Sequence, residues 1–307
     1  MSTAPSLAVE VGGGLRLRAP VIAASGTFGY GIEFAGLTDL SRLGAVVVKG
    51  ISALPAAGHP PIRLVETPAG MLNAIGLQNI GVQAFVTEKL PLLRSLGTRV
   101  VVNCWGVTEE EFGDVAARLS AAPGVDALEV NISSPNKREW GRIIATDARA
   151  TSAVVRAVRA RTRLPVWVKL SPNVTDITEL ARAAEDAGAD ALSLINTLVG
   201  MAVDAETRRP VLANVTGGLS GPAIKPVALH MVHRVARAVR VPVIGIGGIR
   251  SGDDAVEFLL CGARAVQVGT ATFYDPGAPV RIAGEIERYL VRHGIGDVNE
   301  LVGALEV

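Results

Sequence analysis

Residues 45–50 read AVVVKG and residues 243–248 read VIGIGG. Each is a short apolar run with no charge before its last positions, as expected of a parallel strand covered on both faces. Working outward, similar runs recur at Val21–Ala24, Arg99–Asn103, Ala127–Asn131, Val166–Leu170, Ala191–Asn196 and Ala265–Gly269. With Ala45–Lys49 and Val243–Gly247 they make eight. Amphipathic spacing predicts helices between and after them at Ile32–Leu43, Val82–Ser95, Glu109–Ala121, Asp147–Thr162, Ile177–Ala187, Pro226–Val239, Asp253–Cys261 and Val280–Arg292. Thr108 with Glu111 three residues on reads as a capping box, and Gly188 as a helix stop. Eight strand–helix units predict an α/β chain folded as a (β/α)8 TIM barrel. A doubly wound open sheet is the alternative, and the count of eight favours the barrel.

The N-terminal stretch reads as a β-hairpin: SLAVEV alternates, Gly12-Gly13-Gly14 turns, and LRLRAP alternates back. Such a hairpin suits the barrel's N-terminal mouth. The insertions Gly50–Gln83 and Thr197–Lys225 are long and polar, and in a barrel they lie as loops on the C-terminal face. No linker tract divides the chain, so residues 1–307 are expected to form a single domain. With 49% apolar and 19% charged residues the chain can fill a core, and a net charge of +1 argues against a nucleic-acid partner. Two cysteines cannot hold a four-thiolate cluster. With neither a signal peptide nor a membrane-spanning run legible, the expected location is the cytoplasm.

The strand ends carry the chemistry. They run into Ser25-Gly26, Lys49-Gly50, Asn103, Asn131, Lys169, Asn196-Thr197, Gly247-Gly248 and Gly269-Thr270. Turn-forming preference explains the glycines. It does not explain two lysines at the ends of apolar strands, because a buried ammonium is costly without an anion. Glycines after strands seven and eight stand where such barrels bind phosphate through bare N–H groups. The pattern suggests a phosphorylated planar cofactor across the mouth, with asparagines matching a heterocycle of alternating C=O and N–H.

The strings ASGTFGYG (24–31), VVVKG (46–50), GMLNAIGLQN (70–79), EVNISSPN (129–136), VKLSPNVTDI (168–177), LINTLVGM (194–201), ANVTGGLSGPAIKPVAL (213–229), IGIGGI (244–249) and VQVGTATF (266–273) go further. Through them the chain resembles the dihydroorotate dehydrogenase family, soluble class 1 and nearest to class 1B, over essentially its whole length. The resemblance implies FMN-dependent oxidation of (S)-dihydroorotate to orotate in pyrimidine biosynthesis. It implies FMN contacts at Ser25, Lys49, Gly50, Asn103, Asn131, Lys169, Ile195, Gly221, Gly247, Gly248, Gly269 and Thr270. It implies substrate contacts at Lys49, Asn73, Ala74, Ile75, Gly76, Leu77, Asn131, Asn196 and Thr197, and a catalytic base at Ser134. In the implied reaction the base takes a proton from C5, and hydride leaves C6 for flavin N5.

Two departures stand out. Soluble class 1 members generally place cysteine at the base position, whereas Ser134 matches the membrane-associated class 2. A thiol with a reference pKa of about 8.5 gives some thiolate near neutrality, and a hydroxyl does not. Ser134 therefore needs a relay, or it is a decayed base. The stretch Lys137-Arg138-Glu139-Trp140-Gly141-Arg142-Ile143-Ile144-Ala145 departs from the Gly-Gly pair and Phe-Gly usual in this family's substrate flap, with Glu139 and Trp140 in place of glycines. Class 1B members pass electrons to NAD through a partner subunit carrying FAD and a 2Fe–2S cluster, and class 1 members commonly form a homodimer. This chain's cysteines cannot hold such a cluster, so one belongs only to a possible partner.

Other features read as packing. Cys104, Cys261, Trp105 and Trp167 suit a core. His230 and His233 have no third ligand at metal spacing, so no metal site is expected. The rival functional reading is a non-redox barrel, a lyase or isomerase of a phosphorylated metabolite with Lys49 or Lys169 as base. A third is a catalytically silent regulatory subunit.

Overall fold

The computed structural model describes residues 4–133 and 144–307. Eight parallel strands close into a barrel in chain order: β1 Val21–Ala23, β2 Ala45–Ile51, β3 Arg99–Cys104, β4 Ala127–Asn131, β5 Val166–Lys169, β6 Ala191–Leu194, β7 Val243–Ile246 and β8 Ala263–Val268. β8 pairs with β1, which closes the ring (Val266 beside Val21). The open-sheet alternative is thereby excluded. Apolar strand residues such as Val46, Val47, Val101, Leu128 and Val168 are fully buried, as the unbroken runs require.

Six of the eight helices fall where the periodicity places them: Glu109–Ser120, Ala148–Arg159, Ile177–Asp186, Lys225–Ala236, Gly252–Leu260 and Ala278–His293. The Thr108 hydroxyl accepts the Glu111 N–H at 3.2 Å, whereas the Glu111 carboxylate takes the Val107 N–H at 2.7 Å, so the expected box forms in altered register. The helix expected over Ile32–Leu43 does not form. Two short 3-10 turns, Ile32–Phe34 and Leu40–Arg42, replace it. Gly36 weakens the middle, and the Asp39 carboxylate takes the Ser41 N–H and hydroxyl at 3.1 and 2.6 Å, a local alternative to helix. The segment over Val82–Ser95 is helical but not uniform: Gly81–Ala84, a wide turn at Phe85–Lys89, then Leu90–Leu93 and Arg94–Leu96. Pro91 lacks an N–H and its ring crowds the preceding turn, and the Leu90 N–H reaches back five residues to the Phe85 carbonyl.

The N-terminal hairpin pairs Val9 with Leu17 and Glu10 with Arg16. Val9, Val11, Leu15 and Leu17 are buried in the main core. At Gly12 (φ 85°) the turn approaches the Asp190 carbonyl so closely that a Cβ would lie 1.9 Å from its oxygen. Asp190 precedes β6, so the hairpin covers the N-terminal mouth. At the other end the two long insertions are not merely loops. Leu64–Thr67, Gly70–Asn73, Thr216–Ser220 and Leu198–Met201 form a four-stranded antiparallel sheet with a small core of Leu72, Ala74 and Leu212. Leu72 pairs with Leu219 and Leu219 with Leu198, which ties the insertion after β2 to that after β6.

Candidate active site

A cavity of about 830 Å³ opens at the C-terminal end, between the barrel rim and the accessory sheet. It gathers nearly every residue named from the sequence: Ser25, Lys49, Gly50, Asn131, Lys169, Ile195, Gly221, Gly247, Gly248, Gly269 and Thr270, together with Asn73, Ile75, Gly76, Leu77, Asn196 and Thr197. Two do not reach it. Asn103 is buried beneath the wall, its amide turned to Glu129 at 2.7 Å. Ala74 turns away into the small core of the accessory sheet, and its carbonyl and N–H are tied to His59 and Arg63 at 3.0 and 2.8 Å. Ser134 lies outside the described residues, as does most of the altered flap stretch.

The two lysines differ. Lys169, 6% exposed, has an anion inside the protein: the Glu129 carboxylate is 3.7 Å from its Nζ, and the Ser25 hydroxyl accepts at 3.5 Å. Lys49 has no ion-pair partner among the described residues. Burial holds its ammonium below the ordinary lysine range, the Arg63 guanidinium adds to this, and Glu33 opposes it. A half-buried cation facing a cavity without a carboxylate at contact distance is built to meet a negative ligand.

At the far end of the cavity glycines form a backbone cradle. Gly248 (φ 75°) leaves no room for a side chain, since a Cβ would lie 2.8 Å from the Lys225 Cβ and 2.9 Å from the Gly221 carbonyl. Among the described residues the N–H groups of Gly248 and Gly269 have no acceptor. Asp254 fixes the loop by accepting the Arg250 and Ser251 N–H groups at 2.9 and 3.0 Å and Lys225 Nζ at 2.6 Å. Burial would raise its carboxyl, but Lys225 and the Arg250 N–H outweigh burial and hold it below the usual carboxylate range. The Thr270 hydroxyl donates to Ser220 at 2.8 Å. Free N–H groups on a glycine loop suit phosphate oxygens.

The asparagines are tied into a chain. Asn196 Nδ2 donates to the Ser133 hydroxyl (2.7 Å), which donates to Asn131 Oδ1 (3.0 Å). Asn131 Nδ2 donates to Asn103 Oδ1 (3.4 Å), and Asn103 Nδ2 to Glu129 Oε1 (2.7 Å). Sequence reasoning passed over Glu129, although the rule that selected the lysines, a charge within an apolar strand, selects it as well. It also passed over Thr27, a residue of the cavity wall whose buried Oγ1 has no partner among the described residues. Cys104 is excluded as a nucleophile: burial, with Glu129 adding, pushes its thiol up to about 12. Trp167 is fully buried, as expected of packing. Among the described residues no cluster of three His, Cys, Asp or Glu could hold a metal, and no helix is long and apolar enough to cross a membrane.

Comparison with known proteins agrees with this geometry. The family model for dihydroorotate dehydrogenase matches residues 6–290. The chain is 61% identical over 303 residues to the catalytic subunit of dihydroorotate dehydrogenase B (NAD(+)) from Geobacter sulfurreducens, covering 99% of both chains. It is 60% identical to the protein of the same name from Citrifermentans bemidjiense, again over 99% of each. Among solved structures, DHODH from Eimeria tenella in complex with ferulenol superposes with a TM-score of 0.80 at 24% identity, over 97% of this chain and 88% of that one, and this likeness speaks for the fold. On the family match and the full-length relatives, the chain belongs to the dihydroorotate dehydrogenase family of oxidoreductases.

Proposed function

We propose that this chain is the catalytic subunit of a class 1B dihydroorotate dehydrogenase, oxidising dihydroorotate to orotate with FMN in the cavity. The observation that carries the reading is Lys49, an ammonium without an ion-pair partner among the described residues, facing the same cavity as a glycine cradle suited to phosphate. Dihydroorotate brings a carboxylate and FMN a phosphate, so each of the two sites has a matching anion. The N–H groups of Gly248 and Gly269, without an acceptor among the described residues, fit the phosphate.

In this reading Ser25, Gly50, Lys169 and Ile195 hold the flavin ring, and Gly221, Gly247, Gly248, Gly269 and Thr270 hold its phosphate. When bound, the flavin supplies a two-electron acceptor for the hydride leaving C6 of the substrate. Lys49 binds the substrate carboxylate, while Asn73, Asn131, Asn196 and Thr197 offer donors and acceptors to the ring amides. The Asn131 and Asn196 amides are already oriented by their hydrogen-bond chain, so binding need not order them. Ser134 would accept the C5 proton as its own hydroxyl proton passes to a neighbouring hydroxyl or water. The chain's two cysteines, one fully buried, cannot hold a 2Fe–2S cluster. A cluster on the route to NAD would belong to a partner subunit, which would also carry FAD.

Anaerobic addition of dihydroorotate to the purified yellow protein is expected to bleach its flavin absorbance. NAD is expected to restore the colour only when the partner is present. A chain that binds no FMN, or a flavin that stays oxidised, contradicts the reading and favours the non-redox barrel. Direct reoxidation of the lone chain by NAD removes the partner from it.

A further inference from the structure

We infer that Glu129 is a positioning residue of this site: its carboxylate ends the donor chain that orients the asparagine amides, and it holds Lys169 at the cavity floor. The ligand in question is the one proposed above, and on that reading the inference rests. Glu129 is fully buried inside the barrel, and each group it meets comes from a different strand: Asn103 from β3, Lys169 from β5, Ser193 from β6 and Gln267 from β8. Its Oε2 accepts Gln267 Nε2 at 2.6 Å and the Ser193 hydroxyl at 2.9 Å, and its Oε1 accepts Asn103 Nδ2 at 2.7 Å. All of these neighbours are donors, and a carboxylate is an acceptor-only group that satisfies them together.

Stability alone does not account for this arrangement. A buried ion pair is commonly no better for a fold than hydrocarbon of the same volume. The arrangement does fix direction. Because Asn103 must give its N–H to Glu129, its oxygen faces Asn131, and Asn131 in turn gives its N–H inward and offers its oxygen to Ser133. Asn196 then donates to Ser133, and the Ser133 and Thr197 backbone N–H groups hold the Asn131 and Asn196 oxygens at 3.2 and 2.8 Å, so the anion fixes Asn103 and acts with these N–H groups on the two cavity-lining asparagines. The same anion balances Lys169, whose charge stays at the floor without waiting for a ligand. A glutamine at 129 keeps the shape but adds two donors, which permits the Asn103 amide to flip against Asn131 and leaves Lys169 without its anion. An aspartate keeps the charge and loses one methylene of reach.

The test compares Glu129→Gln, Glu129→Asp and Lys169→Met. For FMN binding to the apoprotein, Glu129→Gln is expected to weaken affinity about tenfold or more, and Glu129→Asp less than that, although aspartate packs worse. A purely structural Glu129 gives the reverse order, with glutamine close to wild type. Glutamine failing to fold while aspartate folds and binds also supports the inference. A second arm needs no flavin. Unfolding midpoints of the ligand-free chain are expected to fall by roughly 5–10 °C in each of Glu129→Gln and Lys169→Met, and by clearly less than the sum in the double variant. Wild-type affinity in Glu129→Gln, or additive midpoint shifts, overturns the inference. A wild-type chain that binds no FMN refutes the functional reading instead, and the unfolding cycle still decides whether Glu129 holds Lys169.

Discussion

The carboxyl ends of β2 and β5 each carry a lysine, half-buried at Lys49 and buried at Lys169, and the protein compensates the two in opposite ways. Lys169 sits against Glu129 in a network of side chains from five strands that supplies its counter-charge without a ligand. Lys49 faces the accessory sheet with its ammonium desolvated and no carboxylate at ion-pair distance among the described residues. One region is preorganised polarity, and the other is an electrostatic demand that a ligand meets. A charge in an apolar strand therefore identifies a site, but only the structure says whether its counter-charge is internal. The sequence argument that both lysines await an external anion does not hold for Lys169, whose counter-charge is Glu129, and for Lys49 it is the proposal made above.

This contrast can be broken in several ways. Ser134→Ala is expected to retain FMN and to slow flavin reduction by more than roughly 10²-fold in anaerobic stopped flow, since it removes the base from the substrate side alone. Lys49→Met is expected to weaken orotate binding about 10–100-fold by equilibrium titration, the range of a lost charge-assisted hydrogen bond. Gly248→Ala places a Cβ 2.8 Å from Lys225 Cβ at a φ of 75° and is expected to weaken FMN about tenfold. Leu17→Ala, at the sealed mouth, is expected to cost about 2–4 kcal/mol of stability in denaturant unfolding and to leave FMN and orotate affinities unchanged.

The barrel was legible because eight apolar strand runs each report burial locally, and the rim because lysine and asparagine are conspicuous at their ends. The accessory sheet was not, because its strands are short and glycine-rich and pair across a long stretch of chain, as Leu72 does with Leu219. The failed helix at Ile32–Leu43 shows apolar spacing losing to a local Asx turn at Asp39. The resemblance implies Asn103 as an FMN contact. Its place beneath the wall follows from Glu129, and which of two neighbouring polar residues faces a cavity is set by tertiary pairing rather than by spacing. The Glu129 network spans residues 103 to 267, a separation that periodicity does not report.

The most direct measurement is the affinity of the oxidised flavoprotein for orotate as a function of pH, in wild type and in Lys49→Met. Only the protonated ammonium attracts a carboxylate. Because burial lowers the Lys49 pKa, its charge is lost earlier on the way to alkaline pH than that of an ordinary lysine. Wild-type affinity is expected to fall as pH rises through that lowered pKa, while Lys49→Met binds weakly and without that fall. The same affinity and the same alkaline profile in both proteins would contradict the assignment of Lys49 as the ligand's counter-charge.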